Sequence, residues 1–200
     1  LLGLFRTPSY SLVTVLIPGL IFIFIGASVG RDQQSANFVM ASFAIFASLG
    51  AAFFQFGVGI ANERKSPWEH FARVLPVSAL ARFGGNVLTA MVFTVAAVGI
   101  LIVIALMITD AGMSARAWIR MLIVIFAGTI PMALFGIAIG YWAPVKAALP
   151  IANLFYLGLS FGGGLFIPPQ SMPDFLAKIS MVMPTRHIAE LAWASVAEAP

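Results

Sequence analysis

Two hundred residues that are 61% hydrophobic and only 9% charged, with a mean hydropathy of +1.02, cannot cover a water-facing surface, since an ordinary soluble domain is about 25% charged. That excludes a soluble enzyme and a disordered tail. The net charge of +4 does not restore a nucleic-acid binder, because the eleven Lys and Arg are scattered between apolar runs as helix flanks rather than gathered into a phosphate-binding stripe.

Charge positions divide the chain. No Asp, Glu, Lys or Arg falls between Arg6 and Arg31, Asp32 and Glu63, Arg82 and Asp110, Arg120 and Lys146, or Lys146 and Asp174. Each interval is long enough to cross about 30 Å of hydrocarbon as a helix. The spacing predicts spans near 9–29, 38–61, 84–109, 121–142 and 148–167, in one all-α polytopic bundle covering 1–200. The runs are continuously apolar rather than alternating, which favours helices over a barrel. The first run lacks the cleavage pattern of a secretory signal, and a chain beginning Leu1-Leu2-Gly3 is read as a piece of a longer protein. Cysteine is absent, so there is no disulfide and no thiolate metal site.

Pro18 and Pro131 lie within spans and should kink them. Ala44, Ser48 and Ala52, Gly136 and Gly140, and Gly158 and Gly162 mark candidate packing faces where backbones can approach.

Between the second and third spans, Asn62–Arg82 is the longest polar stretch. Ser66-Pro67-Trp68-Glu69 reads as a capping box with proline at the first helical position. Trp68, Phe71 and Leu75 then share one face, with Glu69, His70 and Arg73 elsewhere, until Pro76 ends the element. This predicts a short amphipathic helix over about 66–76, lying at a membrane surface. After the fifth span, the glycines and prolines of Gly162-Gly163-Gly164-Leu165-Phe166-Ile167-Pro168-Pro169 break helical structure at membrane depth. Such backbone is tolerated where protein or a watery cavity surrounds it. Pro173–Met183 reads as a further short amphipathic piece before Pro184.

These two stretches carry a resemblance. Gly57-Val58-Gly59-Ile60-Ala61-Asn62-Glu63-Arg64-Lys65 followed by Leu75-Pro76-Val77-Ser78, then Gly164-Leu165-Phe166-Ile167-Pro168, Met172-Pro173-Asp174-Phe175-Leu176 and Met183-Pro184, resemble the permease subunit of type-2 ABC exporters. The order and spacing of spans agree over nearly the whole chain. The family often has Glu-Arg-Glu followed by Gly-Thr, whereas this chain has Glu63-Arg64-Lys65 followed by Ser66-Pro67. The resemblance implies a six-span subunit of the plasma membrane, bacterial inner membrane included, that pairs with a second permease copy, identical or not. Separate ATP-binding subunits, which hold the ATP and Mg, would drive it. Glu63, Arg64, Lys65, Trp68, Glu69, His70, Phe71 and Arg73 would couple it to the ATPase. An outer re-entrant region over about 168–184, with Phe166, Pro168 and Pro173 at its mouth, would precede a sixth span lying mostly beyond the sequence. With 62–82 placed inside, six basic residues fall on the inner side and five on the outer, so orientation follows the resemblance rather than charge.

The chemistry that is missing points the same way. No Gly-x-x-x-x-Gly-Lys-Ser/Thr loop is present to cradle a nucleotide, so any ATP is bound by another chain and no cofactor is expected in this one. No predicted span contains a charged residue or a histidine, whereas ion-coupled carriers place such groups within theirs. Gln55, Asn86, Asn153 and Tyr156 are candidate path-lining residues, and the uncharged spans favour an amphiphilic or hydrophobic cargo of drug, lipid or glycan type. Gly158-Leu159-Ser160-Phe161-Gly162 spells the hydrolase elbow but lacks its strand–turn–helix setting and its partners, so Ser160 is read as a packing residue. His187 and Glu190 make at most two ligands, too few for a metal site. The alternative to a permease is a membrane scaffold whose small-residue faces only bind other helices.

Overall fold

The computed structural model describes residues 16–26, 28, 30, 32–64, 79–167 and 171–197. The first helix, α1 (Leu16–Gly26), ends in a π-helical turn over Phe22–Gly26. Four further helices are long and apolar enough to cross a membrane: α2 (Gln33–Glu63), α3 (Ala79–Ile108), α4 (Ala115–Trp142) and α5 (Val145–Gly162). Two short ones follow, α6 (Asp174–Ser180) and α7 (Pro184–Ala197). All regular structure among the described residues is helical, and the chain is an all-α polytopic membrane bundle.

Helices thus occupy the stretches of the second to fifth predicted spans, with shifted ends. α2 starts at Gln33 rather than 38 because Asp32 caps it, accepting the Ser35 backbone N–H at 2.9 Å and the Ser35 hydroxyl at 2.8 Å. Those bonds hold the Asp32 carboxyl below its ordinary range. α4 starts at Ala115 rather than 121, capped by Ser114, since Arg116 and Arg120 can reach water from the first two turns of a helix. α5 runs over 145–162 rather than 148–167. It stops at Gly162, and Gly164 takes a φ of 84°, a left-handed conformation natural to glycine. Residues 9–15 of the first predicted span lie outside the described residues, and α1 covers most of the rest.

α2 is not uniform. Ala51–Val58 is π-helical between two α-helical stretches, a feature often found at functional positions. Along this segment α2 crosses α4 at backbone contact. A Cβ built on Gly136 would lie 2.4 Å from the Ala52 carbonyl oxygen, and one on Gly140 would lie 2.6 Å from that of Phe56. Only glycine permits that approach, as predicted for this pair, and Ala44, Ser48 and Ala52 are all buried on α2. Gly162 likewise abuts Met183. A Cβ on Gly158 meets nothing within 4 Å, so it packs against no described neighbour within this chain.

The ends of the bundle are pinned by polar contacts. Where α2 begins, Asn37 exchanges two 3.0 Å hydrogen bonds with Gly112, accepting its N–H and donating to its carbonyl, while Gln33 donates to the same carbonyl. α7 packs on α2 and α4. Ile188 sits against Gly128, Trp193 donates to Ser42 at 2.8 Å, and Ser195 borders a small cavity with Ser114, Arg116, Ala117 and Arg120. Ile188 thus lies level with a point about 20 Å along α4 from Ala115, at 1.5 Å per residue, and from there α7 returns to the end where α2 and α4 begin.

Candidate coupling end and path

Of the eight residues expected to couple to an ATPase, Lys65, Trp68, Glu69, His70, Phe71 and Arg73 lie outside the described residues, as does the 66–76 helix. Glu63 is exposed at the end of α2. Arg64 points inward. Half-buried, its guanidinium donates from Nη1 to the Tyr141 carbonyl and from Nη2 to the Ala143 carbonyl, the latter at 2.6 Å. These acceptors belong to the end of α4 and the junction with α5, at 77 and 79 residues' remove in sequence.

The candidate path residues part company. Asn86 is in α3, with its side chain outside the described residues. Gln55 is half-buried on the π segment, and Asn153 is exposed on α5. Tyr156 is buried within the bundle, stacked on Phe46 at 4.6 Å between ring centres and edge-on to Phe54 at 5.1 Å. Tyr156 is joined through Phe46 to Phe166, expected at the mouth, the ring centres of Phe46 and Phe166 lying 4.8 Å apart. Phe43 and Phe161 also meet Phe166, at 5.5 and 4.8 Å, and Phe22 meets Phe43 at 5.4 Å. Edge-to-face and offset pairs of this kind add to the burial they bring.

This aromatic cluster was not read from the sequence. Phe43 and Phe46 are spaced i, i+3 on α2 and so share a face, but nothing local specified Phe166 as their partner. A second chain of rings, Phe53–Phe135–Phe155 at 5.7 and 4.9 Å, ties α2 through α4 to α5.

At the mouth, Pro168 lies outside the described residues and Pro173 is exposed immediately before α6. Gly162, Gly163, Gly164 and Leu165 are buried, so this irregular backbone is enclosed by protein. Thr185 holds it by donating to the Leu159 carbonyl at 2.7 Å, and a Cβ on Gly163 would lie 2.3 Å from the Thr185 hydroxyl. Ser160 is helical and buried and donates to the Tyr156 carbonyl at 2.6 Å. That is a packing residue's setting. Glu190 is held by Arg186 at 2.7 Å, and Arg186 also lies 6.0 Å from the Trp193 ring centre. Among the described residues no group of three His, Cys, Asp or Glu could hold a metal.

Residues 1–195 match the ABC-2 type transporter family. The chain belongs to that family. It is a multi-pass membrane protein of the ABC-2 permease type. It is also similar to the Bacillus subtilis (strain 168) protein named "Putative transport permease YvfS", at 27% identity over 164 residues, 81% of this chain and 66% of that relative. The chain thus spans just under two thirds of the relative's length. No solved structure matches.

Proposed function

We propose that this chain is the permease subunit of an ATP-driven exporter, working as a dimer and moved by separate ATPase subunits that seat on Glu63 and residues 65–76, with Arg64 turned into the bundle. The observation that carries this is where charge falls in the helices. In α2 the interior from Gln33 to Asn62 has none, and in α3, α4 and α5 the basic residues Arg82, Arg116, Arg120 and Lys146 all stand within two turns of the helix start. Carriers that run on ion gradients keep ionisable groups at the midplane; a membrane part worked from outside by a motor has no need of them.

The cargo proposed is hydrophobic or amphiphilic. Half-buried Phe166 and exposed Phe161 support it, offering apolar and π contacts rather than charge, with buried Phe46 packed behind Phe166. Gln55, Asn86 and Asn153 are proposed to meet the cargo's polar groups. The fold also favours a particular reading of the mouth. α5 stops level with Thr185, well inside the bundle, and α7 returns to the end where α2 begins. Residues 163–197 are therefore proposed as a re-entrant hairpin, with Pro184–Ala197 its ascending limb rather than the beginning of a sixth span.

Affinity capture of the tagged permease from its own membranes tests the reading. Stoichiometric recovery of a nucleotide-binding subunit, whose ATP hydrolysis loses its coupling in Phe71→Ala and Glu63→Ala, is expected. Recovery of helices alone, with no ATPase, would make the chain a scaffold.

A further inference from the structure

Helix α4 presents its last carbonyls without helical donors, as every helix end does, and its dipole makes that end attractive to a cation. Arg64 takes this position. Its fork reaches the Tyr141 carbonyl in the last turn of α4 and the Ala143 carbonyl in the two-residue junction before α5. A guanidinium suits two acceptors held in fixed directions, whereas an ammonium acts as a point charge. Nε is buried with no acceptor among the described residues. The two carbonyls therefore supply the compensation that a half-buried cation needs.

This contact continues a seam. Ala52 with Gly136 and Phe56 with Gly140 meet backbone to backbone, and a Cβ on Gly57 would lie 3.5 Å from the Gly136 carbonyl oxygen and 3.7 Å from Ala152 of α5. Packed contacts of this kind resist separation but exert little hold against sliding. Arg64 adds a directional tie, adjacent in sequence to the segment at which the motor is proposed to push.

We propose that Arg64 is a positioning residue of the transport cycle. It fastens the α4–α5 junction to the end of α2, so that displacement of α2 carries α4 and α5 with it. Its guanidinium serves this internal tie rather than contact with the ATPase. The inference rests on the proposed seat of the motor at Glu63 and residues 65–76.

The test uses the permease in complex with its ATPase in lipid nanodiscs. Spin labels are placed on Asn62→Cys and Trp142→Cys, both exposed positions, with labelled copies diluted in unlabelled ones. Distances are read without nucleotide and after trapping with ADP and vanadate. With Arg64 present, the distance is expected to be narrow and the same in both states. In Arg64→Gln it should broaden and shift on trapping by at least about 2 Å, the scale of helix displacements in such transitions. ATPase stoichiometry should be unchanged in that variant, and Arg64→Lys should restore the narrow distance in part. Loss of bound ATPase in Arg64→Gln would make the residue a motor contact and overturn the tie. So would an unchanged narrow distance in Arg64→Gln, or a shift on trapping in the presence of Arg64. If the unsubstituted permease brings down no ATPase, the functional reading itself fails, a result separate from the variant comparison, and the coupling role of Arg64 falls with it.

Discussion

Helices α2 and α5 have similar mean hydropathy in their most apolar windows, 1.8 and 1.3, yet 83% of that window is buried in α2 and 28% in α5. Apolarity therefore fails to say which helix is the core. In hydrocarbon it cannot, because lipid tails are as apolar as leucine and give no reward for turning a leucine inward. What distinguishes α2 is residue size. Ala36, Ala41, Ala44, Ala47, Ser48 and Ala52 let other backbones close in, while α5 carries Leu149, Leu154, Leu157 and Phe161 on its uncovered side. Small residues permit backbone contact where helices cross, whereas large apolar ones serve buried and uncovered faces alike, as Phe46 and Leu154 do.

The largest expected effect breaks α2 where it crosses α4. Gly140→Leu would drive a branched side chain into the Phe56 carbonyl and into Ile60, whose Cβ stands 2.9 Å from a built Cβ. Backbone cannot yield there as a flexible side chain could, so the cost should exceed the roughly 1–3 kcal/mol of ordinary overpacking. Folded protein in detergent extracts should be nearly absent by size-exclusion chromatography. A normal yield would mean the two helices are not in backbone contact.

Next comes the aromatic cluster. Phe46 is 1% exposed and touches Tyr156, Phe166 and Phe43, so Phe46→Ala removes several ring contacts at once and should cost about 3–5 kcal/mol. Unfolding titrations in mixed micelles can read it. A cost below about 1 kcal/mol would show that the cluster is loosely packed.

How much of this was legible follows from where each signal resides. Span existence was, because a charge deep in hydrocarbon is expensive and the charge-free intervals are a local property of the chain. Span ends were less so: Arg116 and Arg120 sit inside α4, near enough to its end to reach water, so excluding charge shortened the prediction. The π segment left no mark, since Ala51–Val58 contains neither proline nor an unusual composition. Gly136 and Gly140 announced a close crossing, while Gly158 carried the same spacing signal and meets no described neighbour. Arg64 was identified as a coupling residue, but its acceptors are main-chain carbonyls of a distant turn, which no side-chain pattern encodes. The direction of α7 depends on Trp193 finding Ser42 and Ile188 finding Gly128, pairings that only the fold supplies.

A smaller effect refines the packed side of the comparison. The Trp193 indole N–H donates to Ser42 on the buried helix, and Trp193→Phe removes that hydrogen bond while keeping an aromatic ring. The loss should be about 1 kcal/mol. Ser42→Ala should cost a similar amount, and the double variant should cost less than the sum, because both changes delete one interaction. Strict additivity would mean that the bond contributes nothing to holding α7 on α2.

The smallest effects belong to α5. Leu154 is 71% exposed and Gly158 has open space around its α-carbon, so Leu154→Ala and Gly158→Leu should each change the stability of the isolated chain by no more than about 0.5 kcal/mol. This is the sharpest use of the contrast, because Gly158→Leu makes the same chemical change as Gly140→Leu. If it proves equally damaging in monomeric protein, burial in this chain does not separate the two helices. If it is silent in the monomer yet lowers the yield of cross-linked permease pairs in membranes, the uncovered face of α5 adjoins the second copy. If it is silent in both, the face meets lipid, and the glycine there reflects only the composition of a membrane helix.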